Sequence, residues 1–285
     1  MRVFEPLIIE QVNVFIRQVA LSQGKPIDMR TRCNYLGMDI IGLLSFGFAL
    51  QSQTQEKYRF LADEMAGGNR RLNVYMQIPT IPKYRLQVPL NLIWYKTREK
   101  VFRLIEFMIK SRMTEDQHAK HDFYSFVADS LKNGDSENLR VRDLWMEAIL
   151  FIVAGLIYHV FVYLALVLRT IPGGDTTATA TAATLFYVAR HRECYKRLYN
   201  EIRSVFANGN DIGGSKLASC QYLRACIDES LRMSPPIPGT LWRQLSPDEQ
   251  GSGPYAIDGH VIPKDTYVGV NTYALHHNQV GIYIK

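Results

Sequence analysis

From Glu5 onward, apolar residues recur at helical spacing: Leu7, Ile8, Val12, Phe15, Ile16 and Val19, with Glu10, Gln11 and Arg17 between them. That is the period of an amphipathic helix. Gly24 and Pro26 are expected to end it. Ile27-Asp28-Met29 leads into a second helix through Leu36, Ile40, Ile41, Leu43, Leu44 and Phe46, and Lys57 to Met65 reads as a third. Gly67-Gly68 and the prolines Pro79, Pro82 and Pro89 mark a loop region. A long amphipathic helix is expected from about Leu92 to Met113, then a polar stretch and a short helix from Phe123 to Lys132.

Beyond a stretch in the middle of the chain, Gly173-Gly174-Asp175-Thr176-Thr177 opens another helix, with Asp175 or Thr176 as its candidate cap. Its small face, Ala178, Ala182 and Ala183, allows close approach of a flat or bulky group, or of another helix. Basic residues Arg190 and Arg192 suit its C-terminal turn. Tyr195 to Phe206 is amphipathic, and Leu217 to Met233 is a further helix that Ser234-Pro235-Pro236-Ile237-Pro238-Gly239 stops. From Thr240 the texture changes to short strands and turns. The segments 259–266 and 267–271 read as the two arms of a hairpin.

The middle stretch carries 21 residues, 148–168, without a Lys, Arg, Asp or Glu, between Glu147 and Arg169. By length it qualifies as a transmembrane helix. A wholly buried core helix explains it equally well.

At 285 residues, 47% apolar and 21% charged, the chain is globular, with ample core for one large domain or two small ones. Its net charge of +6 is spread out, so no basic block points to nucleic acid. Cys33, Cys194, Cys220 and Cys226 are too few for a disulfide scaffold and fit a reducing compartment. Met1-Arg2-Val3-Phe4-Glu5-Pro6 lacks the apolar region of a signal peptide. No Walker-type loop or G-x-G-x-x-G motif is present. His191-x-x-Cys194 has a metal-compatible spacing, but two ligands make no site, so no metal set is expected. Glu229 and Arg232, three apart, share one helical face and can pair. On an exposed helix such a pair is worth only about a few tenths of a kcal/mol.

Three groups of residues occur in a telling order. The first is Ala154-Gly155 with Gly174-Asp175-Thr176-Thr177. The second is Glu229-x-x-Arg232, followed by Pro235-Pro236-Ile237-Pro238 and Arg243. The third is Asp258-Gly259-His260-Val261-Ile262-Pro263-Lys264, followed by Asn271 and Ala274-Leu275-His276-His277-Asn278. As an ordered set they resemble the cytochrome P450 monooxygenases, in particular the microsomal type common in fungi. The resemblance runs from Glu5 to Asn278. It implies a mainly α, partial P450-like domain over 1–285, with a small β-region near the C-terminus. It implies haem as cofactor, a small hydrophobic substrate, dioxygen, electrons from an NADPH–cytochrome reductase, a role in secondary metabolism, and the cytoplasmic face of the endoplasmic reticulum membrane.

By that resemblance, Asp175 and Thr176 are the catalytic pair that delivers protons for cleavage of dioxygen. Ala154, Gly155 and Gly174 lie along the haem face. Arg243 reaches a haem propionate. Glu229 and Arg232 form a buried structural pair. The chain also departs from the family pattern. The family's axial cysteine sits in a Phe-x-x-Gly-x-Arg-x-Cys loop, and none of the four cysteines here has such surroundings. The segment with a propionate-binding Trp-x-x-x-Arg is missing too, and an inactive chain is expected. Deleting 156–173 joins Phe151-Ile152-Val153-Ala154-Gly155 to Gly174-Asp175-Thr176-Thr177, as the family pattern requires. Residues 156–173 therefore read as unspliced, in-frame intron, and 280–285 as read-through to a stop codon. The alternative is a non-enzymatic membrane protein that uses 148–168 as its single span.

Overall fold

The structure, a computed structural model, describes residues 3–78, 80–84, 95–116, 119–120, 122, 124–125, 173–245 and 255–278. The first helices are α1 (Glu5–Ala20), α2 (Met29–Phe46), α3 (Phe60–Gln77) and α4 (Tyr95–Thr114). After them come α5 (Gly173–Arg190), α6 (Arg192–Val205) and α7 (Gln221–Met233), and a short α8 (Thr272–His276) follows the strands. The strands β1 (Thr240–Arg243), β2 (Tyr255–Ile257), β3 (His260–Ile262) and β4 (Val268–Asn271) form two small antiparallel sheets, β1 with β4 and β2 with β3. The expected architecture, mainly helical with a small β-region near the C-terminus, is what forms.

Helix α2 is the hub. It packs against α1, α3, α4 and, most extensively, α5. Its start is set locally: the Asp28 carboxylate caps the helix, accepting from Arg30 N–H at 3.1 Å and Thr31 N–H at 3.4 Å. It ends at Gly47, whose φ of +57° a side chain would resist. Met38 and Phe46 of α2 join Leu61, Ala62 and Met65 of α3 and Val101, Leu104, Ile105, Met108 and Ile109 of α4 in one hydrophobic core. Asp39, 2% exposed, turns back and accepts from Ser52 N–H at 2.6 Å and Gln53 N–H at 3.1 Å, which anchors the segment after α2.

At its far end α4 is held by a buried ion pair. Arg112 and Asp122 are both fully buried, at 2.5 Å from Nε to Oδ2 and 3.2 Å from Nη2 to Oδ1. The pair is also hydrogen-bonded outward. Arg112 Nη1 donates to the Asp116 carbonyl at 3.0 Å, and Asp122 Oδ1 accepts from Ser125 N–H at 2.9 Å. Such satisfaction is what makes a buried pair tolerable.

Three expectations are corrected. Gly67-Gly68 lies inside α3 and not in a loop. Each glycine costs a helix interior about 1 kcal/mol, but burial of Met65 and Tyr75 on either side holds the helix through them. The arms 259–266 and 267–271 do not pair with each other. β3 pairs back to β2 through the turn at Asp258 and Gly259, with φ of +49° and +78°, whereas β4 pairs with the distant β1, Thr240 opposite Asn271 and Arg243 opposite Val268. An Asp-Gly turn with both φ positive matches the twist of a two-strand ribbon, and this local chemistry wins over the longer connection. Third, α5 begins at Gly173, so Asp175 sits within its first turn and not at its cap. A carboxylate there still meets the positive end of the helix.

The helix expected over Leu217 to Met233 is split into one turn, Gly214–Ala218, and α7. No helix among the described residues is long and apolar enough to cross a membrane. The apolar run 148–168, most of the expected helix over 123–132 and most of the segment 156–173 lie outside the described residues.

Substituting Asp122 by Ala strands the Arg112 charge in the interior. Urea unfolding is expected to show a loss of roughly 3–5 kcal/mol. A loss below about 1 kcal/mol, the value of a surface pair, would mean that solvent reaches the guanidinium.

Candidate active site

Three elements carry the expected site residues. Helix α5 carries Gly174, Asp175 and Thr176, α7 carries Glu229 and Arg232, and β1 carries Arg243 at its end. Ala154 and Gly155 lie outside the described residues.

Helix α5 packs between α2 and α7. Its small face is used for close packing, with Ala178 only 4% exposed, while Ala182 and Ala183 remain half-buried. Threonines along it hold their hydroxyls to their own helix: Thr181 donates to the Thr177 carbonyl at 2.8 Å and Thr184 to the Ala180 carbonyl at 2.9 Å. Asp175 and Thr176 are half-buried. At the other end of α5, the Tyr187 and Ser234 hydroxyls share a hydrogen bond of 2.8 Å, which ties α5 to the residue that stops α7.

Helix α7 brings Glu229 and Arg232 together as their spacing predicts. The guanidinium takes the carboxylate in a fork, Nε to Oε2 and Nη2 to Oε1, each at 2.7 Å. Its third arm, Nη1, donates to the His276 carbonyl at 2.8 Å. One arginine thus joins α7 to α8, directly after β4. Asn271 extends that tie: its side chain caps α8 by accepting from Ala274 N–H at 2.9 Å, and its amide donates to the Thr240 hydroxyl on β1 at 3.3 Å. The hydrogen bonds from Arg232 hold the Glu229 carboxyl below the usual carboxylate range, and the same bonds raise Arg232 further. The expectation of a buried pair is corrected: the Glu229 side chain is 61% exposed and that of Arg232 28%. No described element covers the outer face of the carboxylate, so water screens the pair and its worth falls toward that of a surface bridge.

Arg243 is exposed at the last position of β1, opposite Val268. The strand is anchored one residue earlier, where the Trp242 indole N–H donates to the Met76 carbonyl at the end of α3, at 2.6 Å.

Sequence reading missed Glu201. This α6 carboxylate accepts from Tyr222 N–H and Leu223 N–H, both at 2.8 Å, and so caps α7 from a neighbouring helix where Cys220 provides no side-chain cap. No local signal in the sequence marks a cap supplied from 21 residues away. His276 and His277, expected in a loop, are the last residue and the C-cap of α8, and the His277 ring stacks on Tyr273 at 3.9 Å.

All four cysteines are free and lie away from the Asp175–Thr176 turn in sequence. Cys33 on α2 and Cys220 before α7 are each 1% exposed, while Cys194 and Cys226 are half-buried. Burial pushes the Cys33 thiol up to about 11 and raises those of Cys220 and Cys226. Among the described residues no cluster of three or more His, Cys, Asp or Glu could hold a metal ion.

The Glu229 pair makes a signed prediction. A carboxyl whose pKa is lowered by folding stabilises the fold above its unfolded value, near 4.3, and loses that contribution as pH falls through the folded value. The thermal midpoint of Glu229→Gln is therefore expected to lie slightly below that of the unaltered chain at pH 7. The difference, about 1 kcal/mol or less for so exposed a pair, should vanish on acidification below pH 4. A gap that widens on acidification would contradict the assignment.

The cytochrome P450 family model matches residues 1–156 and 165–280. The chain is 31% identical over 286 residues to cytochrome P450 monooxygenase poxM of Penicillium oxalicum, covering 97% of this chain and 51% of that one. It is 30% identical over 281 residues to cytochrome P450 monooxygenase apf8 of Gibberella fujikuroi, covering 96% and 70%. It is 32% identical over 246 residues to cytochrome P450 monooxygenase lcsN of Purpureocillium lilacinum, covering 86% and 66%. Among solved structures, the cytochrome P450DA heme domain superposes with a TM-score of 0.70 at 15% identity, over 97% of this chain and 54% of that one. The chain thus spans 51–70% of the length of these curated relatives. The family model matches nearly the whole chain and the fold is that of a P450 heme domain: the chain belongs to the cytochrome P450 family.

Proposed function

We propose that the chain is the middle of a single haem-monooxygenase domain whose parent activity inserts one oxygen atom from dioxygen into a small hydrophobic substrate. The observation that carries this reading is the Arg232 fork. It ties α7, on which α5 packs, to α8, and through Asn271 to β1, the strand that ends at Arg243. Haem, when bound, supplies the activation of dioxygen, with electrons from an NADPH–cytochrome reductase at the endoplasmic reticulum membrane. The part assigned to this chain is narrower. Asp175 and Thr176, both in the first turn of α5, are assigned to proton delivery. By the family resemblance, Ala154, Gly155 and Gly174 would lie along the haem face, and the Arg243 guanidinium would bind a propionate.

The 285 residues themselves do not fit a complete haem site. None of Cys33, Cys194, Cys220 and Cys226 stands in the glycine-rich Phe-x-x-Gly-x-Arg-x-Cys surroundings of the family's thiolate ligand. Cys194 faces a cavity between α6 and α7. The chain is accordingly assigned no oxygenase activity of its own. Residues 156–173 are assigned to translated intron, a reading supported by the break in the family match at 157–164, inside that segment.

Haem added to the purified chain, reduced and exposed to carbon monoxide, is expected to give no thiolate-type Soret band. A clear band would overturn the assignment of the cysteines. Sequencing the transcript from the codon of Gly155 to that of Gly174 is expected to show the two joined directly. A transcript that retains 156–173 would reject the intron reading and leave the family assignment untouched.

A further inference from the structure

Between α5, α6 and α7 lies a cavity of about 360 Å³. Tyr187, His191, Cys194, Tyr222, Cys226 and Met233 contribute to its walls. Two of the four cysteines therefore face one space from two different helices. The geometry points to a redox-active dithiol: Cys194 of α6 and Cys226 of α7 oxidise to a disulfide that clamps the two helices across this cavity.

The register of α6 on α7 places the pair. Glu201 holds the backbone of Tyr222 and Leu223. One turn back along α6, the Arg197 guanidinium lies 4.5 Å over the Tyr222 ring. Nearly one turn further back, Cys194 lines the same cavity wall as Tyr222 and Cys226. Moving backward along α6 thus moves forward along α7, the relation of two antiparallel helices. Tyr222 and Cys226 are four apart, so they share the face of α7 turned toward Cys194. Exposure separates this pair from the other two thiols. Cys194 and Cys226 are half-buried at the cavity wall, whereas Cys33 and Cys220 are each 1% exposed and shielded from a dissolved oxidant.

The oxidant is a peroxide. The thiolate of one cysteine takes an oxygen atom from it, giving a sulfenic acid and water. The thiol of the other displaces that oxygen as a second water and forms the S–S bond. Two thiols and one peroxide become one disulfide and two waters, so electrons and atoms balance. The product fixes the turn of α7 immediately before Glu229, one turn from the Arg232 fork.

The test is peptide mapping after mild hydrogen peroxide treatment, with free thiols then blocked by N-ethylmaleimide and tryptic digestion carried out without reductant. Trypsin separates the cysteines: Cys194 falls in 193–196, Cys226 in 225–232 and Cys220 in 217–224. The expected result is a crosslinked pair of 193–196 with 225–232 that dithiothreitol splits, absent in Cys194→Ser and in Cys226→Ser. The link should form several-fold faster in native buffer than in urea. Equal rates in the two solvents, maleimide on both cysteines after treatment, or a link of either to Cys33 or Cys220 would overturn the proposal.

Discussion

Close packing of α5 on α2 is the constraint on which the rest of the structure depends. Helix α2 touches four other helices. Of its buried residues, Met38, Asp39, Gly42, Ser45 and Phe46 share one face, and Cys33 lies on the opposite side. A Cβ at Gly42 would stand 2.8 Å from the Phe48 carbonyl and 3.0 Å from Leu50, so the chain that returns after α2 depends on this glycine. With α5 seated on α2, its far end places α7 through the Tyr187–Ser234 hydrogen bond.

Polar groups do the remaining joining, and they act over long stretches of sequence. Arg232 reaches 44 residues to the His276 carbonyl, Trp242 reaches 166 to the Met76 carbonyl, and Glu201 reaches 21 to the N-terminus of α7. Each satisfies a main-chain group that would otherwise be left at a helix or strand end. These ties differ in kind from the Arg112–Asp122 pair. That pair is fully out of water, so both members are needed together, whereas Glu229 is mostly exposed and serves more to aim Arg232 than to stabilise the fold.

Much of the candidate site was legible in the chain before any fold was known. Glu229 and Arg232 pair because three residues on a helix place them on one face, and this needs no tertiary information. Asp175 and Thr176 fall in the first turn of a helix that glycines begin. What was not legible was their setting. The exposure of Glu229, the His276 partner of Arg232 and the cavity shared by Cys194 and Cys226 all depend on which helices come to lie beside them.

The sequence by itself determined where most of the described helices lie, the stop after α7 at Pro235-Pro236 and the tight turn at Asp258-Gly259. These follow from periodicity, proline geometry and positive φ, all of which act within a few residues. Only the tertiary structure decided that β4 pairs with β1 rather than with β3, that α3 runs through Gly67-Gly68, and that Glu201 caps α7. In each case a local preference of about 1 kcal/mol was set by burial or by a hydrogen bond from a distant segment. Such partners are chosen by packing, and a one-dimensional pattern does not record them.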